Sequence, residues 1–509
     1  MGLDQSKMPL VSALQRCADR PNAAFYTPGH KRGQGASASL RQLLGSAALR
    51  ADLPELPELD NLFAPEGVIA QAQQLAAQAF GAQQTWFLAN GSTCGVEAAI
   101  LATCGPGDKL ILPRNVHSSA ISGLILSGAM PIYVSPIYSR DWTMALGVRA
   151  ADIEAALALH PEAKAVLVVS PTYHGVCSDL AAIAQLAHTR NVPLIVDEAH
   201  GPHFAFHPQL PISALQAGAD IAVQSAHKVL SSLTQSALLH TQGDRIDRAR
   251  LSQALQLTQS TSPSYLLLAS LDAARCQMVM EGERLMSNAI ALADRAFDSL
   301  SQLEGLRVLQ PAWHGVADRC DRTRLTGDRT RLTIEVFGLG LTGFDADEML
   351  HEQCQVTAEL PALRHITFIV SLGNNDSDID RLIAGFKTLC RACPPEKEGS
   401  LGANQAQSGK PLSPETAVGQ ETVEPLILGV ASVSPRQAFF AGKTARSLED
   451  AVGYLCAETI CPYPPGIPVL LAGEQITADA IASLRSILSA GGTLSGCIDP
   501  TLKTILTIT

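Results

Sequence analysis

Residues 220–240 read DIAVQSAHKVLSSLTQSALLH, and their character changes a few positions in. Positions 221–223 are an apolar run typical of a buried strand. Ser225, His227 and Lys228 follow directly, among further serines and a threonine. A surface loop is the simplest interpretation of a lysine in such company. A lysine that takes part in chemistry is the alternative, and the neighbouring elements decide between the two.

Short apolar runs alternate with helical stretches from about residue 68 to residue 240. The apolar runs include QTWFLA, KLILP, MPIYVSP, KAVLVVSP and VPLIVD. Stretches with helical spacing, such as CGVEAAILATC and DLAAIAQLAHTR, lie between them. This alternation is typical of βαβ units, and runs that are apolar throughout indicate a sheet covered on both faces. The sequence therefore predicts an α/β fold built on a mostly parallel sheet.

Five regions are predicted along the chain from shifts in composition and pattern. The N-terminal segment, residues 1–65, is rich in proline, glycine and charged residues, and its motif-like loops are not expected to form core elements. Residues 394–424 are poor in large apolar side chains, which is typical of a linker. The regions are an N-terminal segment (1–65), a major α/β domain (66–300), a smaller α+β domain (301–393), a linker (394–424) and a C-terminal α+β domain (425–509).

Composition excludes several classes of function. The formal net charge of −11 disfavours nonspecific binding to nucleic acid or to an acidic membrane. No run reaches the roughly 20 apolar residues that a membrane-spanning helix needs, and the N-terminus lacks the pattern of a signal peptide. The cysteines are interpreted as reduced thiols, and the lone CxxC at Cys390 and Cys393 is a weak signal for a metal. We therefore expect a cytoplasmic protein without a metal site.

Chemically capable side chains follow five of the predicted strands. In an open parallel sheet, ligands bind at the carboxyl ends of the strands. Each group alone has an ordinary interpretation as a buried histidine or a solvated lysine, but all five together indicate a site. The groups lie at 90–93, 115–118, 171–175, 197–200 and 225–228.

The residue types in these groups match one cofactor. The Asn-Gly-Ser-Thr turn at 90–93 opens a helix, where free N–H groups and hydroxyls suit a phosphate, although serine and threonine also cap ordinary helices. A lysine forms an imine with an aldehyde, as Lys228 would. An aspartate such as Asp197 keeps a pyridine nitrogen protonated. Together these groups predict an enzyme that uses pyridoxal phosphate.

The motifs resemble those of the Orn/Lys/Arg decarboxylases, which are fold type I, aspartate aminotransferase-like enzymes. The resemblance covers nearly the whole chain, with the blocks in the family's order. It implies the short form of the family, which lacks an N-terminal wing domain. The blocks are TPGHKRG, LDNLFAPEGVI, NGST, RNVHSSA, PTYHGV, VDEAHG, SAHKVLSSLTQSALLH and TSPSYLLLASLD, followed by SPRQAFFA and AETICPYPPGIPVLLAGE, which resemble the family's C-terminal domain.

The resemblance also implies roles for individual residues. Lys228 would hold the cofactor covalently, Asp197 would pair with the pyridinium nitrogen, and these two with His117 would be the catalytic residues. His117 would stack on the cofactor ring, with Ala199 packed beneath it. The other cofactor-binding positions would be Gly91, Ser92, Thr93, His200, Ser225 and His227.

The reaction implied is decarboxylation of arginine, lysine or ornithine, which feeds polyamine synthesis, by a homodimer or larger assembly. Asp60 and Glu458 are candidates to bind the substrate's distal cation, and each also fits a surface or capping role. An aminotransferase or another lyase on the same cofactor is a second interpretation, for which Arg364 is a possible carboxylate-binding residue. A non-catalytic regulator is a third, and the intact Lys228 and Asp197 argue against it.

Overall fold

The computed structural model of this 509-residue chain describes residues 2–309, 325–394, 427–428, 433–463 and 466–509. The predicted linker, apart from residue 394, lies outside the described residues. Within these ranges, no helix has the length and apolar character that crossing a membrane requires.

The helices are numbered in chain order. They are α1 (Pro9–Asp19), α2 (Ala38–Ala51), α3 (Val68–Phe80), α4 (Gly91–Thr103), α5 (Ser118–Ser127), α6 (Ala150–Leu159), α7 (Leu180–His188), α8 (Ala226–Val229), α9 (Arg248–Thr258), α10 (Tyr265–Leu300), α11 (Gly343–Cys354), α12 (Asp376–Ala392), α13 (Pro435–Phe440), α14 (Leu448–Ala451) and α15 (Ala478–Ser489), with short 3₁₀ turns at Phe204–Phe206 and Phe337–Leu339.

The strands are numbered in the same way. They are β1 (Gln84–Leu88), β2 (Lys109–Pro113), β3 (Met130–Val134), β4 (Tyr138–Ser139), β5 (Met144–Ala145), β6 (Ala165–Val169), β7 (Val176–Cys177), β8 (Leu194–Asp197), β9 (Ile221–Gln224), β10 (Ala237–Thr241), β11 (Arg307–Val308), β12 (Thr326–Gly327), β13 (Arg331–Glu335), β14 (Leu360–Pro361), β15 (His365–Ile369), β16 (Ile427–Leu428), β17 (Lys443–Ser447), β18 (Cys461–Tyr463), β19 (Thr493–Ser495) and β20 (Thr504–Ile508).

A sheet of eight strands forms the centre of the molecule, in the order β1-β10-β9-β8-β6-β2-β3-β16. The five strands from β9 to β3 are mutually parallel, whereas β10 and β16 run antiparallel to their neighbours. All residues of β6, β8 and β9 are buried, because apolar clusters cover both faces of the sheet. The predicted α/β fold with a mostly parallel sheet is confirmed.

The N-terminal region differs from its prediction. Leu53, Leu59 and Leu62 are buried and belong to the apolar cluster on one face of the central sheet. The prolines and acidic residues of this stretch suggested a loop outside the core. Its leucines, however, recur at every third position, so they all turn toward the same surface. The segment therefore contributes to the core without forming a strand.

Two smaller units carry their own apolar clusters. An antiparallel sheet in the order β11-β13-β15-β14 packs with α11 and α12. Near the C-terminus, β17 pairs with β20 and β18 pairs with β19, and α15 contributes Ile481 and Leu484 to the cluster between them. The β13 strand connects the small sheet to the functional site, because its first residue, Arg331, reaches that site.

Candidate functional site

The carboxyl ends of β1, β2, β6, β8 and β9 surround one cavity. Six of the cavity-lining residues were predicted from the sequence, and three, Val169, Pro171 and Tyr173, were not assigned a role. The lining consists of Ser92, His117, Val169, Pro171, Tyr173, Asp197, Ala199, His200 and Lys228. The strand-end groups that lie far apart in the sequence are thus brought together, as a parallel sheet requires.

Lys228 lies in α8, a single helical turn that starts directly after β9. Its Nζ is 2.9 Å from Nε2 of His200 and 5.8 Å from the centre of the Tyr173 ring. Burial lowers the pKa of the Lys228 amine, and the charge of Asp197 partly opposes this shift. A lysine with a lowered pKa is a better nucleophile at neutral pH, as attachment to an aldehyde requires.

Asp197 is the last residue of β8, and it is buried. Its Oδ1 accepts a hydrogen bond from the Ala199 N–H at 3.2 Å. Among the described residues, no hydrogen bond reaches its second oxygen. Burial raises the pKa of Asp197, while His117 and Lys228 favour its charged form. The carboxylate therefore has one oxygen free for a cationic partner in the cavity.

His117 is the N-cap residue of α5, and its ring is held in place by its own helix. Its Nδ1 accepts the backbone N–H of Ser119 at 3.2 Å and lies 2.9 Å from the Ser119 hydroxyl. Burial lowers the pKa of His117, which favours the neutral form of the ring. A neutral, fixed aromatic ring is suited to stacking on a flat ligand.

Residues of the predicted phosphate cradle lie close together beyond the carboxyl ends of β1 and β9. The hydroxyl of Ser225 donates to the hydroxyl of Ser92 at 2.7 Å. Gly91, with φ of +73°, begins α4, and a Cβ placed on it would meet no atom within 4 Å. Thr93 is exposed in the first turn, and the His227 ring donates to the Ser236 carbonyl at 2.9 Å. Hydroxyls and a helix N-terminus are thus present together.

Neither predicted acid for the substrate's distal cation is available in this structure. Both oxygens of Asp60 accept backbone N–H groups, from Asn61, Glu66 and Gly67 in the loop before α3 and from Ile69 and Ala70 in its first turn. Glu458 is buried and accepts from the N–H groups of Ile498 and Leu506 at 2.7 and 2.9 Å. Asp60 thus caps the first turn of α3, whereas Glu458 is bound by the backbone of β20 and of the loop before it and has neither the surface nor the capping role.

Arg364, the candidate of the aminotransferase interpretation, does not line the cavity. Its guanidinium donates to Glu335 at 3.0 Å and lies over the Phe337 ring, 4.1 Å from its centre. These two contacts hold the Arg364 side chain at the small sheet.

Two residues near the site carried no recognised signal in the sequence. Glu359 lies close enough for its charge to act on Lys228, His227 and Tyr173. Arg331 is buried, and its Nη2 is 3.1 Å from Nδ1 of His200. Both come from the small antiparallel unit, more than a hundred residues after Lys228 in the chain. Their positions depend on packing between units, which no local motif encodes.

The residues at this site fit pyridoxal phosphate. An amine with a lowered pKa lies in the same cavity as a buried carboxylate with a free oxygen, a fixed aromatic ring and a small residue. Hydroxyls at a helix N-terminus border that cavity. The amine suits an aldehyde, and the carboxylate suits a pyridine nitrogen. The aromatic ring and the small residue suit a flat ring, and the hydroxyls suit a phosphate.

Comparison with known protein families identifies two matching models. Residues 8–378 match the model described as "Orn/Lys/Arg decarboxylase, major domain". Residues 430–493 match the model described as "Orn/Lys/Arg decarboxylase, C-terminal domain".

Curated relatives match over the same length. An arginine decarboxylase from Bacillus subtilis is 39% identical over 99% of both chains. An arginine decarboxylase from Halalkalibacterium halodurans is 38% identical over 99% of this chain and 98% of its own. Among solved structures, a lysine decarboxylase from Francisella novicida superposes with a TM-score of 0.80 at 22% identity, covering 98% of this chain and 81% of that chain. That last likeness concerns the fold.

Proposed function

Because the chain belongs to the Orn/Lys/Arg decarboxylase family and is a pyridoxal phosphate-dependent decarboxylase of basic amino acids, we propose that its substrate is arginine. The observation that carries the assignment of the site is the meeting of Lys228, Asp197 and His117 in one cavity. The choice of arginine is supported by relatives of 37–39% identity that are named arginine decarboxylases. The products would be agmatine and CO2.

The proposed roles follow from the geometry. Bound pyridoxal phosphate supplies an electron sink for the bond between Cα and the carboxylate. Lys228 would hold the cofactor covalently through its amine. Asp197 would stabilise the protonated pyridine nitrogen, and His117 and Ala199, which line the same cavity, would pack against the ring. Ser92 and Ser225, with the N-terminus of α4, bind the phosphate.

Glu359 is the proposed partner of the substrate's guanidinium. It precedes β14, and its backbone N–H donates to the Thr367 carbonyl at 3.1 Å, which fixes it on the small sheet. Its charge reaches Lys228, while its side chain is exposed and free of the backbone contacts that occupy Asp60 and Glu458. A carboxylate pairs with a guanidinium through two parallel hydrogen bonds. Glu359 therefore fits the distal end of arginine better than the two acids chosen from the sequence.

The proposal extends to assembly and location. We propose a homodimer, since large apolar side chains are exposed in the N-terminal region, Phe25 at 94% and Leu43 at 79%. We propose a cytoplasmic location, which agrees with the unpaired state of every cysteine in the described part of the chain.

The test is identification of the amine made by the purified, cofactor-loaded protein from arginine, lysine and ornithine in separate reactions. Agmatine released with an equal amount of CO2, from arginine only, is the expected result. Cadaverine or putrescine as the main product would reject the choice of arginine. A keto acid with no amine from any of the three would reject decarboxylation. Lys228→Ala protein serves as the control for uncatalysed release.

A further inference from the structure

His200 connects the proposed cofactor lysine to a buried arginine. Its Nε2 lies 2.9 Å from Nζ of Lys228, and its Nδ1 lies 3.1 Å from Nη2 of Arg331. His200 is 4% exposed and Arg331 is 3% exposed. The Tyr173 ring meets His200 edge-on, with 5.0 Å between the ring centres. The histidine is therefore held on three sides and has little freedom to turn.

Arg331 has an unusual set of contacts for a buried cation. Its hydrogen bonds from Nη2 go to Nδ1 and, at 3.4 Å, to the carbonyl oxygen of His200. Its Nε and Nη1 are buried without a hydrogen-bond partner among the described residues. A buried guanidinium is costly to the fold when its donors are unpaired. The charges of Asp328 and Glu359 partly offset this cost, and the side-chain hydrogen bonds of Arg331 within the described part of the chain go to His200.

The hydrogen-bonding inventory of these groups leaves a single arrangement of protons. A guanidinium only donates, so Nδ1 of His200 must accept, and the ring proton must lie on Nε2. Nε2–H then points at Lys228 Nζ and donates to it. An amine accepts a hydrogen bond only in its uncharged form. The three side chains thus form a chain of donors that ends on the lone pair of the lysine.

We propose that Arg331 is a positioning residue that holds His200 as the Nε2–H tautomer and thereby keeps Lys228 as an uncharged, nucleophilic amine. This inference rests on the proposed role of Lys228 in the function above. The uncharged state of Lys228 would matter whenever its amine is not bonded to the cofactor. The freed amine must return as a nucleophile, and a protonated ammonium cannot.

The surrounding charges favour the same state. Burial lowers the pKa of His200 well below its ordinary value, and nearby positive charge adds to the shift. Burial lowers the pKa of Lys228, and Arg331 lowers it further, whereas Asp197 and Glu359 oppose the change. The titratable or charged groups that face His200 are Lys228, Arg331, His117, His203 and Tyr173.

The experiment is competitive acetylation of the full-length chain, freed of cofactor, across a pH series, with mass spectrometry of the peptide that carries Lys228. Arg331→Met keeps the side-chain bulk but removes both the donor and the charge. We expect its half-maximal labelling of Lys228 to shift upward by at least roughly half a pH unit. Arg364→Met is the matched control, because it removes an arginine of the same sheet that does not contact His200, and it should label as the wild type does.

An unshifted profile in folded Arg331→Met protein would overturn the proposal. Should that variant not fold, ¹⁵N spectra of the histidine rings in the wild-type chain decide instead, with the His200 signals assigned by their loss in His200→Gln. The Nε2–H tautomer is expected at neutral pH, and the Nδ1–H tautomer would overturn the proposal. Neither measurement involves turnover, so a protein that fails to release agmatine would reject the proposed function without affecting this result.

Discussion

Gly466 of the C-terminal unit lies against the ring of His117. A Cβ atom placed on Gly466 would be 3.4 Å from Nε2 of His117, and the Gly466 carbonyl accepts the N–H of Ser118 at 3.2 Å. Gly466 has φ of +87°, a conformation that favours glycine. The C-terminal unit therefore helps to fix the ring of His117, the residue that is proposed to stack on the cofactor.

This contact predicts a specific effect of enlarging Gly466. In Gly466→Val the side chain would press on the His117 ring, and we expect the affinity for pyridoxal phosphate to fall about tenfold, or ~1.4 kcal/mol. Gly453→Val is the matched control, since Gly453 has φ of +88° with no atom near its would-be Cβ. Both variants carry the same backbone strain. Titration of the cofactor's visible absorbance checks the prediction, and equal affinities in the two variants would contradict it.

Removal of the Lys228 amine tests the proposed covalent role. In Lys228→Ala we expect turnover to fall at least about a thousandfold, because the nucleophile that holds and releases the cofactor is lost. Reduction with borohydride should no longer fix the cofactor to the chain, which mass spectrometry checks. The fold should persist, since the contacts of the Nζ atom within the described ranges are to the side chains of His200 and Tyr173. Cofactor that remains covalently fixed after reduction would move the role to another lysine.

Asp197→Asn keeps the shape of the proposed partner of the pyridine nitrogen and removes its charge. We expect the rate to fall on the order of a hundredfold, because the amide no longer stabilises the protonated nitrogen. The substrate KM should change little. A steady-state comparison with the wild type checks this, and an unchanged kcat would exclude Asp197 from the role.

The sequence predicted most of the cavity because its residues lie at the carboxyl end of a strand or within a few positions after it. A strand with apolar residues throughout must be buried on both faces, and the next polar residue then lies at the sheet's edge. Asp197 and Lys228 were identified in this way. The direction of β10 could not be inferred, since five buried residues that read ALLHT are compatible with either direction.

Residues contributed by other units were beyond such reasoning. Arg331 begins an ordinary buried strand, and Glu359 is one of many exposed acids. Asp60 was considered for the substrate because nothing in the sequence reveals that a tight loop would donate N–H groups to its carboxylate. Local patterns thus predicted the residues at the sheet edge, whereas Arg331 and Glu359 depend on packing between the units.

The proposed guanidinium partner can be tested by a change that preserves its shape. In Glu359→Gln we expect the KM for arginine to rise about tenfold or more with a smaller change in kcat, because a charged hydrogen-bonded pair is replaced by a neutral one. Glu458→Gln is the control, since its contacts are to backbone N–H groups and its loss should lower stability instead. Steady-state kinetics at fixed pH measure both. A KM that is unchanged in Glu359→Gln would remove Glu359 from the substrate site.

Glu198, the neighbour of Asp197, belongs to a row of buried side chains that runs from the end of β8 across β9 and β10 to β1. Its Oε2 accepts from Gln224 at 2.8 Å, Gln224 Oε1 lies 3.1 Å from His240 Nε2, and His240 Nδ1 lies 2.7 Å from the Thr85 hydroxyl. Burial raises the pKa of Glu198 to about 8 from an ordinary value of 4.5. The folded chain therefore binds a proton that the unfolded chain releases over that range of pH.

This raised pKa predicts the sign of a pH effect on stability. Between about pH 5 and pH 8 the free energy of unfolding should fall as pH rises, because the folded carboxyl resists losing its proton; the contribution is up to ~1.4 kcal/mol per pH unit. Glu198→Gln cannot titrate, so its free energy of unfolding should depend less on pH in this window. Urea unfolding of both proteins at pH 5.5 and pH 7.5 provides the comparison. An equal change in the free energy of unfolding for the two proteins between those pH values would contradict the prediction. Glu198 would then be ionised in the folded chain, with its carboxylate stabilised by Gln224 and the Ala214 N–H.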